Sequence, residues 1–389
     1  MKPQHRTISF FTASALLMLL GCSGEKTTGP VSAARVDQLA AGLAGAQSPF
    51  YKQHNLVSDG AVPADLVDPS LVNAWGLVAS STSPWWVSDN GTGRSTLYNG
   101  NTGAKLGLTV TIPGGAPTGV VFNGGASFVV ASGAASGAAR FIFASEAGMI
   151  TGWNPGVPAA GSTQAQVAVD NSPSGAIYKG LAIATTSSGG NRLYATNFHA
   201  GTVDVFDAQF HPVAAAFTDP DLPAGYAPFG IRALGGVIYV TYALQDDEKE
   251  DDVAGVGHGF VDAFDLDGNL LHRVASMGRL NSPWGLAMAP ADSFGKFAGD
   301  LLVGNFGDGG INAFDPNTIL GDGQLQPQGQ LHGAGGQPIA IDGLWAIDFG
   351  NGAAAGPKHV LFFTAGPLGE QHGLFGTLTA ASPPGRVLP

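Results

Sequence analysis

Charge is scarce in this chain. Lys, Arg, Asp and Glu make up 12% of its 389 residues, against 44% for the hydrophobic set. A disordered or solvating polypeptide has the opposite balance, so that class is excluded. Basic charge is scarcer still: 17 Lys and Arg stand against 29 Asp and Glu, for a formal net charge of −12. Nucleic-acid backbones and anionic lipid surfaces both require basic patches, so no nucleic-acid partner is expected. Cysteine is nearly absent. The single Cys22 permits neither an internal disulfide nor a cysteine-based metal cluster. Long apolar runs are missing too. The stretch at residues 8–20 is too short to cross a bilayer as a helix, and no later segment is long or apolar enough. The common catalytic signatures are also lacking: no His-Glu-x-x-His, no Gly-x-Ser-x-Gly elbow and no P-loop.

What the chain has in quantity is glycine (59) and proline (25), without a collagen-like period. With so little charge, this composition reads as many short strands joined by tight turns. At the N-terminus, Lys2, His5 and Arg6 precede the apolar stretch, which ends in Leu19-Leu20-Gly21-Cys22. That ending resembles the bacterial lipobox, in which cleavage before the cysteine lets it carry lipid. Ser23 in place of an aspartate then favours the outer membrane. An ordinary secretory signal with an incidental cysteine is the alternative. The expected division is a lipoprotein signal peptide over 1–21, a flexible stalk over 22–50 rich in Ala, Gly, Ser, Thr and Gln, and one domain over 51–389. The expected address is the cell envelope, tethered by lipid, or the extracellular space.

Internal repetition decides the fold class. An apolar strand beginning near a glycine recurs at Trp75-Gly76-Leu77, Thr118-Gly119-Val120, Lys179-Gly180-Leu181, Phe229-Gly230-Ile231, Trp284-Gly285-Leu286 and Asp342-Gly343-Leu344, 43 to 61 residues apart. Each is followed by a very apolar second strand, such as Trp85-Trp86-Val87 or Leu301-Leu302-Val303, and then by a polar loop. A third strand ends in an aromatic and a turn residue, as in Val205-Phe206-Asp207 or Ala263-Phe264-Asp265. A more polar fourth strand usually follows. Four antiparallel strands repeated radially predict an all-β protein, a β-propeller of six four-stranded blades. The last repeat has three strands only, and residues 51–57 are positioned to supply the fourth and close the ring. A β-sandwich or a solenoid is the alternative, the solenoid disfavoured because its repeats are shorter and more regular.

Several motifs resemble a known group. They are Asn73-Ala74-Trp75-Gly76-Leu77, Ser88-Asp89-Asn90-Gly91-Thr92-Gly93, Pro117-Thr118-Gly119-Val120-Val121-Phe122-Asn123, Asp251-Asp252-Val253-Ala254-Gly255, Asn281-Ser282-Pro283-Trp284-Gly285-Leu286, Gly304-Asn305-Phe306-Gly307-Asp308-Gly309 and Ile341-Asp342-Gly343-Leu344-Trp345. Across most of the expected domain the chain is similar to an uncharacterised family of secreted bacterial propeller proteins, NHL-repeat-like in style. The resemblance implies the fold. It implies no agreed activity and so no catalytic residues.

Geometry gives the candidate site. In an up-and-down blade, the start of the first strand and the loop after the second lie at the same end, so these segments share one face of the disc. That face collects Asn73, Asp89, Asn90, Glu146, Lys179, Asn197, His199, Asn281, Asn305, Asp308, Asp342, Glu370 and His372. It also carries His258 and the acidic run from Asp246 and Asp247 to Asp251 and Asp252. Oxygen ligands converging near the axis would suit a hard cation such as Ca²⁺. Each residue also has a plainer reading. Asp and Asn after an apolar strand close turns through side chain to backbone bonds, acidic runs are solvated loops, and His199, His258 and His372 are unrelated loop residues. The plainer reading of Trp75, Trp284 and Trp345, near first-strand starts, is core between blades; the alternative is that some line a ligand mouth. Asp265-Leu266-Asp267-Gly268-Asn269 has its glycine too early for a calcium loop and reads as a hairpin turn. Beside a purely structural role, such as a spacer in the envelope, two functions remain. One is a binding module at the envelope for a glycan, a peptide or another envelope protein. The other is a calcium-dependent, lactonase-like hydrolase or lyase in the central channel.

Overall fold

The computed structural model describes residues 48–381. The signal peptide, Cys22 and most of the stalk therefore lie outside the described residues. Period-2 alternation makes each repeat a sheet, and the sheets are the six expected blades. Five are four-stranded and the sixth carries two short extra strands at its outer edge. Blade 1 runs Ala74–Val78, Trp85–Asp89, Arg94–Tyr98 and Lys105–Thr111. Blade 2 opens with Pro117–Phe122, blade 3 with Tyr178–Thr185, blade 4 with Tyr226–Leu234, blade 5 with Pro283–Met288 and blade 6 with Leu344–Phe349. A separate hairpin, Val129–Ser132 with Ala135–Ala138, is inserted in blade 2. Burial follows position in the blade: the second strands Trp85–Asp89, Phe141–Ser145 and Leu301–Asn305 are buried throughout, whereas the outer strand Lys105–Thr111 is largely exposed.

The ring closes as expected. Phe50–Ser58 pairs antiparallel with Leu374–Ala381, from Phe50 opposite Ala381 to Ser58 opposite Leu374. The fourth strand of the last blade thus comes from the other end of the described chain, leaving no gap in the ring. Tyr51 on this strand reaches into blade 5, where its ring packs on Phe294 and Phe297 and its hydroxyl donates to the Phe294 carbonyl at 3.0 Å.

The recurring glycine has a steric cause. A methyl group on Gly76 would lie 2.3 Å from the Thr118 carbonyl of the next blade, on Gly180 2.9 Å from that of Phe229, and on Gly230 2.1 Å from that of Trp284. The innermost strands pack backbone against backbone, closer than a side chain allows. In the sixth repeat the phase differs from that read in the sequence. A methyl on Gly285 would meet the Trp345 carbonyl and the Ile347 backbone, so Ala346 occupies the close-approach position. Gly343 stands three residues earlier, at φ +64°, where Asn73, Ala116 and Ser282 also adopt φ between +44° and +46°. It is the turn residue of its repeat.

Candidate functional site

The residue before each close-approach position forms one layer: Trp75, Thr118, Lys179, Phe229, Trp284 and Trp345. These side chains meet across the axis, since contacts join blades that are not neighbours. Lys179 Nζ of blade 3 lies 5.2 Å from the Trp75 ring of blade 1. The Trp284 indole of blade 5 donates to the Lys179 carbonyl at 3.2 Å. Trp345 stacks on Trp75 at 3.7 Å and on Phe306 at 4.0 Å, and also touches Phe229 and Trp284. Trp75 and Trp345 are buried core, at the axis of the disc where a place between blades was expected, while Trp284 is half-buried and lines the axial cavity.

Lys179 is the one charged residue in this layer, with its side chain only 1% exposed. Its ammonium donates to Glu146 Oε1 and, at 2.8 Å, to Asp251 Oδ1. Burial alone would lower its pKa, but the Glu146 and Asp251 carboxylates outweigh that cost and hold it above the ordinary lysine value. Around this triad runs a hydrogen-bonded belt. Asn90 Nδ2 donates to Glu146 Oε2 at 2.8 Å, and Asn73 Nδ2 donates to Glu370 Oε2 at 2.8 Å. Asn73 Oδ1 in turn accepts from the Trp345 indole at 2.9 Å.

Two carboxyls of the cluster are shifted toward neutrality. Burial pushes Glu370 up to about 7; the Glu146 and Asp251 charges add to it, and the Asn73 amide and Lys179 oppose it. Burial likewise pushes Asp252 up to about 6, against the Ser282 hydroxyl and Lys179 beside it. The site opens to solvent at Asp251, whose side chain is 71% exposed. Beyond the tryptophans, toward the opposite face, the channel continues as a cavity of about 250 Å³ lined by inner strands, among them Leu77, Val121, Ile183 and Leu286.

Of the residues singled out in the sequence, Asn73, Asn90, Glu146, Lys179, Asp251, Asp252 and Glu370 come together. The others do not. Asp89 turns into its own blade and is wholly buried, which raises its pKa well above the usual carboxylate range. Asn197 bonds Asp204, and Asp246 accepts from the Glu250 amide within its loop. Asp247 is exposed. Asn281 accepts the Gly255 amide, and Asn305 and Asp308 bond each other at 3.1 Å. Asp342 accepts the Leu368 amide. His258 bonds the Val253 carbonyl, His372 bonds Asp59 at 2.7 Å, and His199 lies against Gly175. The three histidines are therefore separate. Asp265 closes its turn by accepting from Asp267 and Asn269.

Among the described residues no three of His, Cys, Asp and Glu stand close enough to hold one metal ion. The expected ring of calcium ligands is not assembled, and there is a physical reason for this. The Lys179 ammonium takes the place between opposed carboxylates that a hard cation would need, while the Asn73 oxygen is committed to an indole N–H. Sequence reasoning placed the right segments on this face. It missed that one lysine would organise them, although Lys179 stands out among aromatics at its register.

No family description matches this chain. A curated protein of Acanthamoeba polyphaga mimivirus, described as uncharacterized, is 33% identical over 307 residues, 76% of this chain and 77% of its own length. The chain belongs to the family of this viral protein. A second family member from the same virus is 32% identical over 307 residues, covering 76% of this chain and 72% of its own. These mimivirus relatives are viral, where the sequence motifs had pointed to a secreted bacterial group. Among solved structures, a glucose dehydrogenase aligns at TM-score 0.48 and 13% identity over 80% of this chain and 97% of its own. Virginiamycin B lyase from Staphylococcus aureus aligns at TM-score 0.46 and 11% identity over 85% and 100%. Regucalcin, a calcium-binding protein from Agrobacterium tumefaciens, aligns at 0.44 and 12% identity over 82% and 94%. At these values the likeness carries no argument about activity.

Proposed function

We propose that this mimivirus-family propeller is a binding and interaction module, exported and lipid-anchored through Cys22 at the cell envelope. Its ligand site is the axial cluster around Lys179. One observation carries this reading: all six blades contribute to a single walled site that opens at the exposed Asp251. A rigid disc that gathers loops at one mouth is suited to present them to a glycan, a peptide or another envelope protein. The lipobox-like Leu19-Leu20-Gly21-Cys22 supports the anchor.

A second reading rests on the two near-neutral carboxyls. Glu370 and Asp252 titrate near 7 and 6, a range suited to general acid–base work in a hydrolase or lyase. The calcium-dependent form of that reading would require the ion to displace the Lys179 ammonium.

The test screens glycan and peptide arrays with the parent chain and with Asp251→Asn, alongside a lactone and ester panel. Binding that weakens in the variant, without turnover, supports the module. Turnover that disappears in Glu370→Gln would overturn it in favour of the enzyme. For the anchor, the parent chain should take up labelled palmitate in a bacterial host, and Cys22→Ser should not.

A further inference from the structure

We propose that the axial site takes its ligand through a positively charged nitrogen, an alkylammonium or guanidinium group, held at the mouth by Asp251 and Glu370 above the tryptophan layer, with Asp252 beside them. This rests on the binding reading above and names the ligand's chemistry.

Charge at the site is unbalanced. Four carboxyls, Glu146, Asp251, Asp252 and Glu370, are gathered around one ammonium. The charged groups facing Glu370 are Glu146, Lys179 and Asp251, and those facing Asp252 are Lys179 and Asp251. Lys179 is thus the one cation on both lists, and Glu146 and Asp251 already bond it directly. Glu370 is left facing a net negative field in a partly buried place, which adds to burial in raising its pKa, whereas Asp252 is raised by burial against the Lys179 charge. A ligand nitrogen with a positive charge would supply the missing counterion and release a proton.

Independent of charge, the site holds unused polar groups. Ser282 is wholly buried, and its hydroxyl lies beside the Asp252 carboxyl outside hydrogen-bonding geometry. Neither Ser282 Oγ nor Asp252 Oδ2 has a partner. Unpartnered buried polar atoms in a native fold call for an occupant. The aromatic layer already shows its preference, because the Lys179 ammonium lies 5.2 Å from the Trp75 ring and 5.9 Å from Phe198.

The experiment is titration calorimetry on the purified full chain at pH 6 and pH 8. The probes are 1,5-diaminopentane beside its N,N′-diacetyl form, N-acetyl-Gly-Lys-Gly beside the same peptide with its Lys side chain acetylated, and, at pH 6 where the sugar amine is charged, glucosamine beside N-acetylglucosamine. The charged probe binds and its acetylated form does not. With Glu370 titrating near 7, affinity is about tenfold tighter at pH 8 than at pH 6, with close to one proton released. Glu370→Gln flattens that pH dependence, and Asp251→Asn, an exposed position where misfolding is not at issue, weakens binding at both pH values. A response confined to the tripeptide identifies a protein partner's lysine as the ligand; one confined to the small amines identifies a free metabolite. Two results would overturn the proposal. If no charged probe binds at pH 8 below about 10 mM, the charge argument fails. If N-acetylglucosamine binds as well as glucosamine and Asp251→Asn weakens both, the binding module stands and the cationic class falls.

Discussion

Lys179 shows how much one side chain decides here. Its ammonium satisfies two carboxylates from other blades, so removing it strands them unequally: Glu146 is 27% exposed and Asp251 is 71% exposed. The loss therefore falls mainly on Glu146. Lys179→Met is expected to cost about 2 kcal/mol in chemical denaturation, and Lys179→Met with Glu146→Gln should recover part of it. Additive losses in that double-mutant cycle would show the pair to be uncoupled. Asp89 is the contrasting case. It is wholly buried, and burial raises its pKa well above the usual carboxylate range. Asp89→Asn should change stability by less than about 1 kcal/mol. Asp68 accepts from Tyr98 at 2.6 Å and from Lys105 at 2.9 Å, bonds that outweigh burial and lower its pKa. Asp68→Asn should therefore cost about 1–2 kcal/mol. Asp89 was misplaced from sequence because alternation along a strand does not say which neighbour shields a carboxyl.

At the scale of the strand, close approach at the axis and closure at the rim are separable. Gly230→Ala should cost about 1–3 kcal/mol, because its methyl would sit 2.1 Å from the Trp284 carbonyl. Ala346→Gly, at the position that already accepts a methyl, should cost only about 0.5–1 kcal/mol. Thermal melts of the two variants check the phase of the sixth repeat. That phase was read three residues early because Gly343 and the close-approach glycines look alike in sequence. One glycine is needed for its φ of +64°, the others for lack of a side chain. At the rim, Tyr51→Ala should cost about 3–5 kcal/mol and Tyr51→Phe about 1 kcal/mol, since the ring packing is lost in the first and only the bond to Phe294 in the second. Closure itself was legible: the last repeat was one strand short, and residues 51–57 lay upstream of the first repeat.

For the whole molecule, the titration of the buried acids sets the pH dependence of stability. Glu370 is raised to about 7 and Asp252 and Asp300 to about 6, against ordinary values of 4.5 for Glu and 3.8 for Asp. Between those limits the folded chain binds more protons than the unfolded one, so stability falls as pH rises from about 4 to 7 and levels above that. Asp68, Asp207 and Asp265 are lowered and act in the opposite sense, withdrawing stability below about pH 4. The melting temperature is therefore expected to peak near pH 4–5 and to decline toward pH 8. Glu370→Gln should make that decline shallower between pH 5 and 7; an unchanged slope would remove Glu370 from the set.

Blade count, strand order and the face that gathers the loops were determined by the sequence alone. They follow from local alternation and from spacing along the chain, which short-range sterics impose wherever the segment lies. Which side chains meet was decided only by tertiary structure. Asn73, Asn90, Glu146, Lys179, Asp251 and Glu370 come from segments spread over nearly three hundred residues, and only the circular closure brings them to one axis. The same closure put an ammonium where calcium ligands were expected, because a buried lysine finds its counterions in space and not along the chain.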